Sequence, residues 1–295
     1  MGSEAFEVVC EVEPATRPDL TSVRHQVGVL APVAGAFLIP DNHLGRATVS
    51  SIAAAHEVAA MGCEAIACIN SRDRNRLGFR RDLLTAGAYG VRRLLCVYGD
   101  RPESGARARD LSVRTMLEEI HSFGSTPGFD PRTPFRVGVT SRLAALPDWK
   151  TAADFVFVQA TFDLGGLLAW RDHLAFDGPV YAGVLVLASA AMAKTVLGAT
   201  DEIRVPDRLL DRLEDDRDAG VDAACELVEQ IRASNAFAGV HLIPVGRYRQ
   251  VAARLEALGY RRPPRDADPQ AGRRDAPDSP SVKHERRTGG ARKRP

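Results

Sequence analysis

An α/β chain closed into a (β/α)8 barrel is the fold class this sequence predicts, on three observations. Eight short apolar runs recur between residues 5 and 243. Helical patterns alternate with them, and repeated βα units imply parallel strands, eight of which close a barrel of about 250 residues. No GxGxxG follows the first run and no GxxxxGK[ST] occurs, so the phosphate-holding devices of dinucleotide and P-loop folds are missing. An open doubly wound sheet is the alternative, which a count of eight disfavours.

Taken in order, residues 5–12 read as a strand ended by Glu13-Pro14, and a helix follows over 19–30. Residues 35–39 are a short apolar strand stopped by Pro40-Asp41-Asn42. Val49, Ile52, Ala53 and Val58 fall at helical spacing over 48–61, and Gly62 ends that helix. A strand over 64–69 leads into Asn70-Ser71-Arg72-Asp73, a turn and helix cap, and then a helix over 74–89. The strand over 91–98 stops abruptly at Gly99-Asp100-Arg101-Pro102, and a helix follows over 111–123. Strands at 135–140 and 153–160 are joined by an unusually short connection. Helix 164–174, strand 179–187 and helix 188–197 continue the alternation. Two inserted helices, 207–213 and 219–234, precede the strand at 239–243 and the last helix at 246–258. The resulting fold is a TIM barrel over residues 1–260.

After Tyr260 the composition turns to Arg, Pro, Asp and Gly. Residues 261–295 contain 11 Lys/Arg against 5 Asp/Glu, a local +6 within a formal net charge of +1. Such a segment cannot offset its ordering entropy, so a disordered, basic, Arg/Pro-rich tail is expected. The remaining chain is mildly acidic and offers no basic face for nucleic acid. The five cysteines (Cys10, Cys63, Cys68, Cys96 and Cys225) form no CxxC and lie mostly in apolar runs, which suggests reduced thiols in a cytoplasmic protein. No signal peptide and no apolar stretch of about 20 residues is seen, so no membrane association is expected. The seven histidines form no HxxxH or HxH cluster, and no metal site is expected.

In a parallel barrel the functional face is built from the C-terminal strand ends. Glu11 is an acid between Cys10 and Val12. Pointing into the barrel mouth, a carboxyl so placed is poorly solvated and serves as a general acid. The alternative puts Glu7, Glu11 and Glu13 on one wet face by their spacing of two. Asp100 sits on the rim where its strand ends, as a ligand contact or as an ordinary turn aspartate. Gln159 ends a buried strand with donor and acceptor both to satisfy, suiting either an amide-like ring edge or a backbone cap. His241 within GVHLI reads as a core histidine or as a catalyst. Asp41, Asn42 and His43 top the second strand, and Gly45 precedes a helix whose N-terminus could receive a phosphate. An ordinary capped turn is the other reading of that stretch.

Together these stretches resemble the methylenetetrahydrofolate reductase family over about residues 5–260. Cys10-Glu11-Val12-Glu13-Pro14 is similar to the family's first-strand Phe-Glu-x-x-Pro-Pro, departing at Ala15. Tyr98-Gly99-Asp100-Arg101-Pro102 is similar to its Arg-Gly-Asp-x-Pro, and Val158-Gln159-Ala160-Thr161-Phe162-Asp163 to its Thr-Gln-x-x-Phe-Asp. The segment 203–216 and GVHLIPVGR, ending at Arg247, look like its late stretches. The resemblance implies a barrel that binds 5,10-methylenetetrahydrofolate. Glu11 would be the acid that opens the imidazolidine ring, and Asp100 the carboxylate that steadies the resulting cation. Gln159 would bond the pterin edge, and Arg247 would reach the glutamate tail.

The departures fall on the flavin. The family's His-Leu-Thr-Cys-Ile-Asp reads Ala65-Ile66-Ala67-Cys68-Ile69-Asn70, its arginine before Gly-Asp is Tyr98, and its Tyr-Pro-x-x-His-Pro loop reads Thr140-Ser141-Arg142-Leu143-Ala144-Ala145. FAD carries two phosphates that need cationic or N–H donors. The chain therefore resembles the divergent, flavin-independent branch known in actinobacteria. That branch implies hydride transfer directly from NADH, with NADPH as the alternative donor and FAD absent. The nicotinamide nucleotide would be met by Asp41, Asn42, His43, Asn70 and Tyr98. An FAD-dependent reductase and a non-redox folate-binding module remain the competing readings.

Overall fold

Alternating apolar residues put one face of each strand against helices and the other inside a closed barrel. The computed structural model describes residues 6–123, 134–199 and 203–262. The strands are β1 (Glu7–Glu11), β2 (Ala36–Ile39), β3 (Glu64–Asn70) and β4 (Arg93–Val97), then β5 (Arg136–Ser141), β6 (Phe155–Val158), β7 (Val180–Leu185) and β8 (Gly239–Ile243). They pair in parallel in sequence order, and β8 pairs with β1 through Val9↔His241 to close the ring. The helices are α1 (Thr21–Leu30), α2 (Ser51–Ala60), α3 (Arg76–Ala88), α4 (Val113–Phe123) and α5 (Leu164–Asp172). After them come α6 (Ala190–Ala199), α7 (Asp207–Asp215), α8 (Ala219–Ser234) and α9 (Tyr248–Ala257). The fold is the predicted (β/α)8 TIM barrel.

Two layers of core follow from the period of two. Val8, Cys10, Phe37, Ile39, Val240 and Leu242 face the helices. Val9, Leu38, Ile66, Cys68, Leu95, Phe155, Phe157 and Tyr181 belong to a separate interior cluster. Glu7 and Glu11 share the parity of Val9, and only Glu13, beyond the strand, is exposed. The two readings of Glu11 are thereby resolved: its face of β1 is the inner one.

The lower barrel holds a charged cluster in place of apolar filling. Arg93 forks onto Glu7 at 3.0 and 3.2 Å, and the Tyr181 hydroxyl donates to Glu7 Oε2 at 2.6 Å. Burial alone would raise the Glu7 carboxyl, but the Arg93 charge and the bonds from Arg93 and Tyr181 hold it below its ordinary value.

The elements differ from the sequence reading mainly at their ends. The apolar run over 153–160 continues past the paired rungs, and only Phe155–Val158 is strand. One connection differs in kind. Between β5 and β6 there is no α-helix, only a 3-10 turn at Asp148–Ala152, because the segment is too short to cross back with a full helix. The compact unit runs through Arg262, whose N–H donates to Pro32 O at 2.7 Å and whose guanidinium donates to Gly62 O. Residues 263–295, on which most of the predicted tail falls, lie outside the described residues. All five cysteines are free and buried. No helix among the described residues is long and apolar enough to cross a membrane.

Candidate active site

Parallel strands bring their C-terminal ends to one rim, and a cavity of about 580 Å³ opens there beside β4, β5, β6 and β8. Its apolar wall is Leu95, Phe157, Val158, Leu185 and Ile243, and Tyr98 stands at its edge, half exposed. Polar groups reach it from Thr140, Ser141, Arg142, Lys150, Gln159 and His241. Among the described residues, the lining includes no Asp or Glu. Another cleft, of about 370 Å³, lies beside α7 and α8 and is lined by none of the candidate catalytic or binding residues.

Glu11 ends β1 with its side chain about 10% exposed, and its Oε2 lies 3.1 Å from His241 Nε2. That contact lacks the alignment of a hydrogen bond, since His241 Nε2 is buried without a hydrogen-bond partner. The His241 ring stacks on Phe157 with centroids 5.2 Å apart. Burial first, then the carboxylates of Glu11 and Asp41, push the Cys68 thiol up. Cys68 therefore sits beside Glu11 inside the barrel.

Gln159 follows directly on β6, with its backbone N–H bonded to Ser141 O at 2.9 Å. Glycine at 183 makes room for this corner. A Cβ there would come within 2.5 Å of Val158 O and 2.6 Å of Ala160 N. On the adjoining wall the Lys150 ammonium donates to Thr140 O at 2.6 Å. Burial, and then the charge of Arg142, hold Lys150 below its ordinary value.

Asp41, Asn42 and Asn70 form a network of their own. Asp41 Oδ2 accepts from Asn70 N, Asn70 Nδ2 and Arg74 at 2.9, 2.8 and 2.7 Å. Asp73 accepts from Asn42 and Asn70 at 2.9 Å each and is forked by Arg72, a side chain 2% exposed. Those bonds, the Arg72 ones foremost, take the Asp73 carboxyl down to about 2. His43 begins a one-turn 3-10 segment, and the next loop closes over it. Gly45 O accepts from Glu103 N, and a Cβ on Gly45 would overlap Arg101 O.

Asp100 is exposed, and its Oδ2 accepts from Leu44 N at 2.8 Å, clamping the loop after β4 to the loop after β2. Arg247 caps the start of α9 and donates to Ala188 O at 2.8 Å. Of the residues singled out from the sequence, the cavity brings together Tyr98, Gln159 and His241, with Glu11 behind His241. Asp41, Asn42, His43, Asn70, Asp100 and Arg247 stand outside its lining. Sequence reasoning met Arg142 only within the loop after the fifth strand, with no role given to it, and passed over Lys150.

Among the described residues, no group of three His, Cys, Asp or Glu side chains is placed to hold a metal ion.

No family model and no curated protein matches this sequence. Solved structures match its fold. One is an uncharacterized protein from Clostridium thermocellum that binds two copies of 5-methyl-5,6,7,8-tetrahydrofolic acid. It is 11% identical with a TM-score of 0.59, over 88% of this chain and 96% of that one. Another is tryptophan synthase from M. tuberculosis, 13% identical with a TM-score of 0.51, over 88% and 94% of the two chains. At such identities the likeness is one of fold.

Proposed function

We propose that this barrel binds a reduced folate at its strand-end cavity and reduces 5,10-methylenetetrahydrofolate to 5-methyltetrahydrofolate, with NADH as the hydride donor and no flavin. The carrying observation is one cavity lined by Gln159, Phe157 and His241, with Glu11 behind His241 at 3.1 Å. A pterin presents a flat face and an edge of alternating donors and acceptors, which an aromatic ring and a carboxamide complement. The folate bound by the C. thermocellum barrel of like fold supports the same ligand class here.

Opening the imidazolidine ring needs a proton on its leaving nitrogen, and the Glu11–His241 pair is the acid at this cavity. The resulting 5-iminium cation accumulates positive charge. In this reading Asp100 contributes a negative charge above the rim, its carboxylate held in place by the Leu44 N–H. Arg142 and Lys150, cations on the cavity wall, suit the phosphates of a dinucleotide. Tyr98 offers its ring at the same edge, while Asp41, Asn42 and Asn70 shape the neighbouring loop. Reduced nicotinamide supplies the hydride when bound.

The test is NADH oxidation by the purified protein, with the folate product identified by chromatography. Oxidation only when methylenetetrahydrofolate is present, by a colourless protein, is the expected result. A bound-flavin spectrum would restore the FAD enzyme, and folate binding without turnover would leave a binding module.

A further inference from the structure

Lysine is scarce in this chain: Lys150, Lys194, Lys283 and Lys293 are the four, and the last two lie outside the described residues. Lys194 stands on α6 with 71% of its side chain exposed, 3.7 Å from Glu214. Lys150 stands on the 3-10 turn between β5 and β6 and lines the strand-end cavity with Leu95, Phe157 and Ile243. The turn is fixed by Lys150 N, bonded to Pro147 O, and by Ala153 N, bonded to Lys150 O. The amine itself is held to the wall by Thr140 O. Burial disfavours its charged form, and the neighbouring Arg142 charge acts in the same direction. The Trp149 ring, 5.4 Å from Nζ, and the exposed Asp148, two residues back on the turn, favour the ammonium, but the net direction is downward. Tyr98 and His241 are the other titratable side chains lining the cavity. Desolvation and an adjacent cation are two ways a protein makes lysine a nucleophile, because each frees the nitrogen lone pair at lower pH.

We propose that the Lys150 amine condenses in this cavity with a small aldehyde or ketone bearing a carboxylate, forming an imine. The neutral amine adds its lone pair to the carbonyl carbon, and the carbonyl oxygen takes up a proton. The carbinolamine so formed loses water and leaves a protonated imine on Nζ. No oxidant or reductant enters. The bond to Thr140 O uses an N–H of the amine and leaves its lone pair for the carbonyl. The apolar wall suits a small carbon body, and the positive charge of Arg142 on that wall favours a carboxylate on it. This activity needs neither folate nor nicotinamide and stands apart from the function proposed above.

Reductive trapping on the full chain tests this, with glyoxylate as the probe, cyanoborohydride as the reductant, and peptide mass mapping as the readout. Carboxymethyl-lysine should form at Lys150 several times faster than at the exposed Lys194, and its labelling should set in at a lower pH. Arg142→Gln removes the adjacent cation and should move that onset at Lys150 to higher pH. The preference for Lys150 over Lys194 should be larger with glyoxylate than with propionaldehyde, which has no carboxylate. Equal rates at Lys150 and Lys194, or no adduct at Lys150, overturn the proposal whatever the folate assay shows. An onset unchanged in Arg142→Gln overturns the part given to that cation, and equal preference with both probes overturns the carboxylate.

Discussion

Replacing Arg93 with Met should lower the melting temperature steeply, and by an amount that depends on pH. Arg93 is the cation facing Glu7 in the lower barrel, with the two side chains 14% and 20% exposed. Met fills similar space without charge and leaves a carboxylate partly desolvated, assisted by the Tyr181 hydroxyl and the weaker influence of the Arg136 charge. Breaking a buried pair from one side costs about 3–5 kcal/mol. At roughly 2–4 °C per kcal/mol, the scale for a folded unit near the size of this one, which ends at Arg262, the melting temperature falls by about 6–20 °C at pH 7. The sign with pH follows from linkage. In wild type Glu7 lies below its ordinary 4.5, so its stabilisation is present above that pH and lost on acidification through the lower folded value. In Arg93→Met, burial acts without the counter-charge and the folded value rises above 4.5. The carboxyl then protonates in the fold, so the deficit shrinks from pH 7 toward pH 5. Thermal melts followed by circular dichroism at both pH values read the difference. Glu7→Gln with Arg93→Met should recover most of the loss. A deficit equal at both pH values, or a double variant no better than the single, would refute the reasoning.

Gly183→Val should displace the end of β6, because the Cβ alone meets Val158 O at 2.5 Å. Folate affinity by calorimetry should fall by about tenfold or more, an added cost of ~1.4 kcal/mol or above, while far-ultraviolet dichroism persists. Gln159→Leu leaves the pterin edge unpaired and should raise folate KM by about tenfold, since an unmet polar group costs ~1–3 kcal/mol. Lys150→Met should raise KM for NADH more than KM for folate. Because burial and Arg142 already hold that ammonium below 10.5, wild-type affinity for NADH should begin to fall at a pH lower than an ordinary lysine would set. Asp100→Asn should weaken the loop clamp at Leu44 and lower turnover, read as a joint change in kcat and folate affinity.

Legibility in the sequence tracked how local each property was. The strand–helix alternation is written in runs such as FVFV and GVHLI, whose period and length select one element, so all eight strands were placed. Their ends were less legible, because an apolar run does not announce which rung last finds a partner. The β5–β6 turn went unread in kind: DWKTA is compatible with helix and is kept at one 3-10 turn by the span it bridges.

The site divides the same way. That Glu11, Gln159 and Tyr98 stand at strand ends follows from sequence position alone, because strands end where turns begin. Which of them meet is a matter of barrel closure. Pairing β8 with β1 sets His241 against Glu11 across 230 residues of chain, since the two are numbered 241 and 11. Closure likewise lays the loop at Arg101 over Gly45, a contact between segments more than 50 residues apart that no local pattern announces. Local propensity and hydrophobic period determined a parallel barrel with acids and amides at its rim. Which rim residues share one cavity was decided only by tertiary structure, because strand stagger and loop packing depend on contacts far apart in the chain.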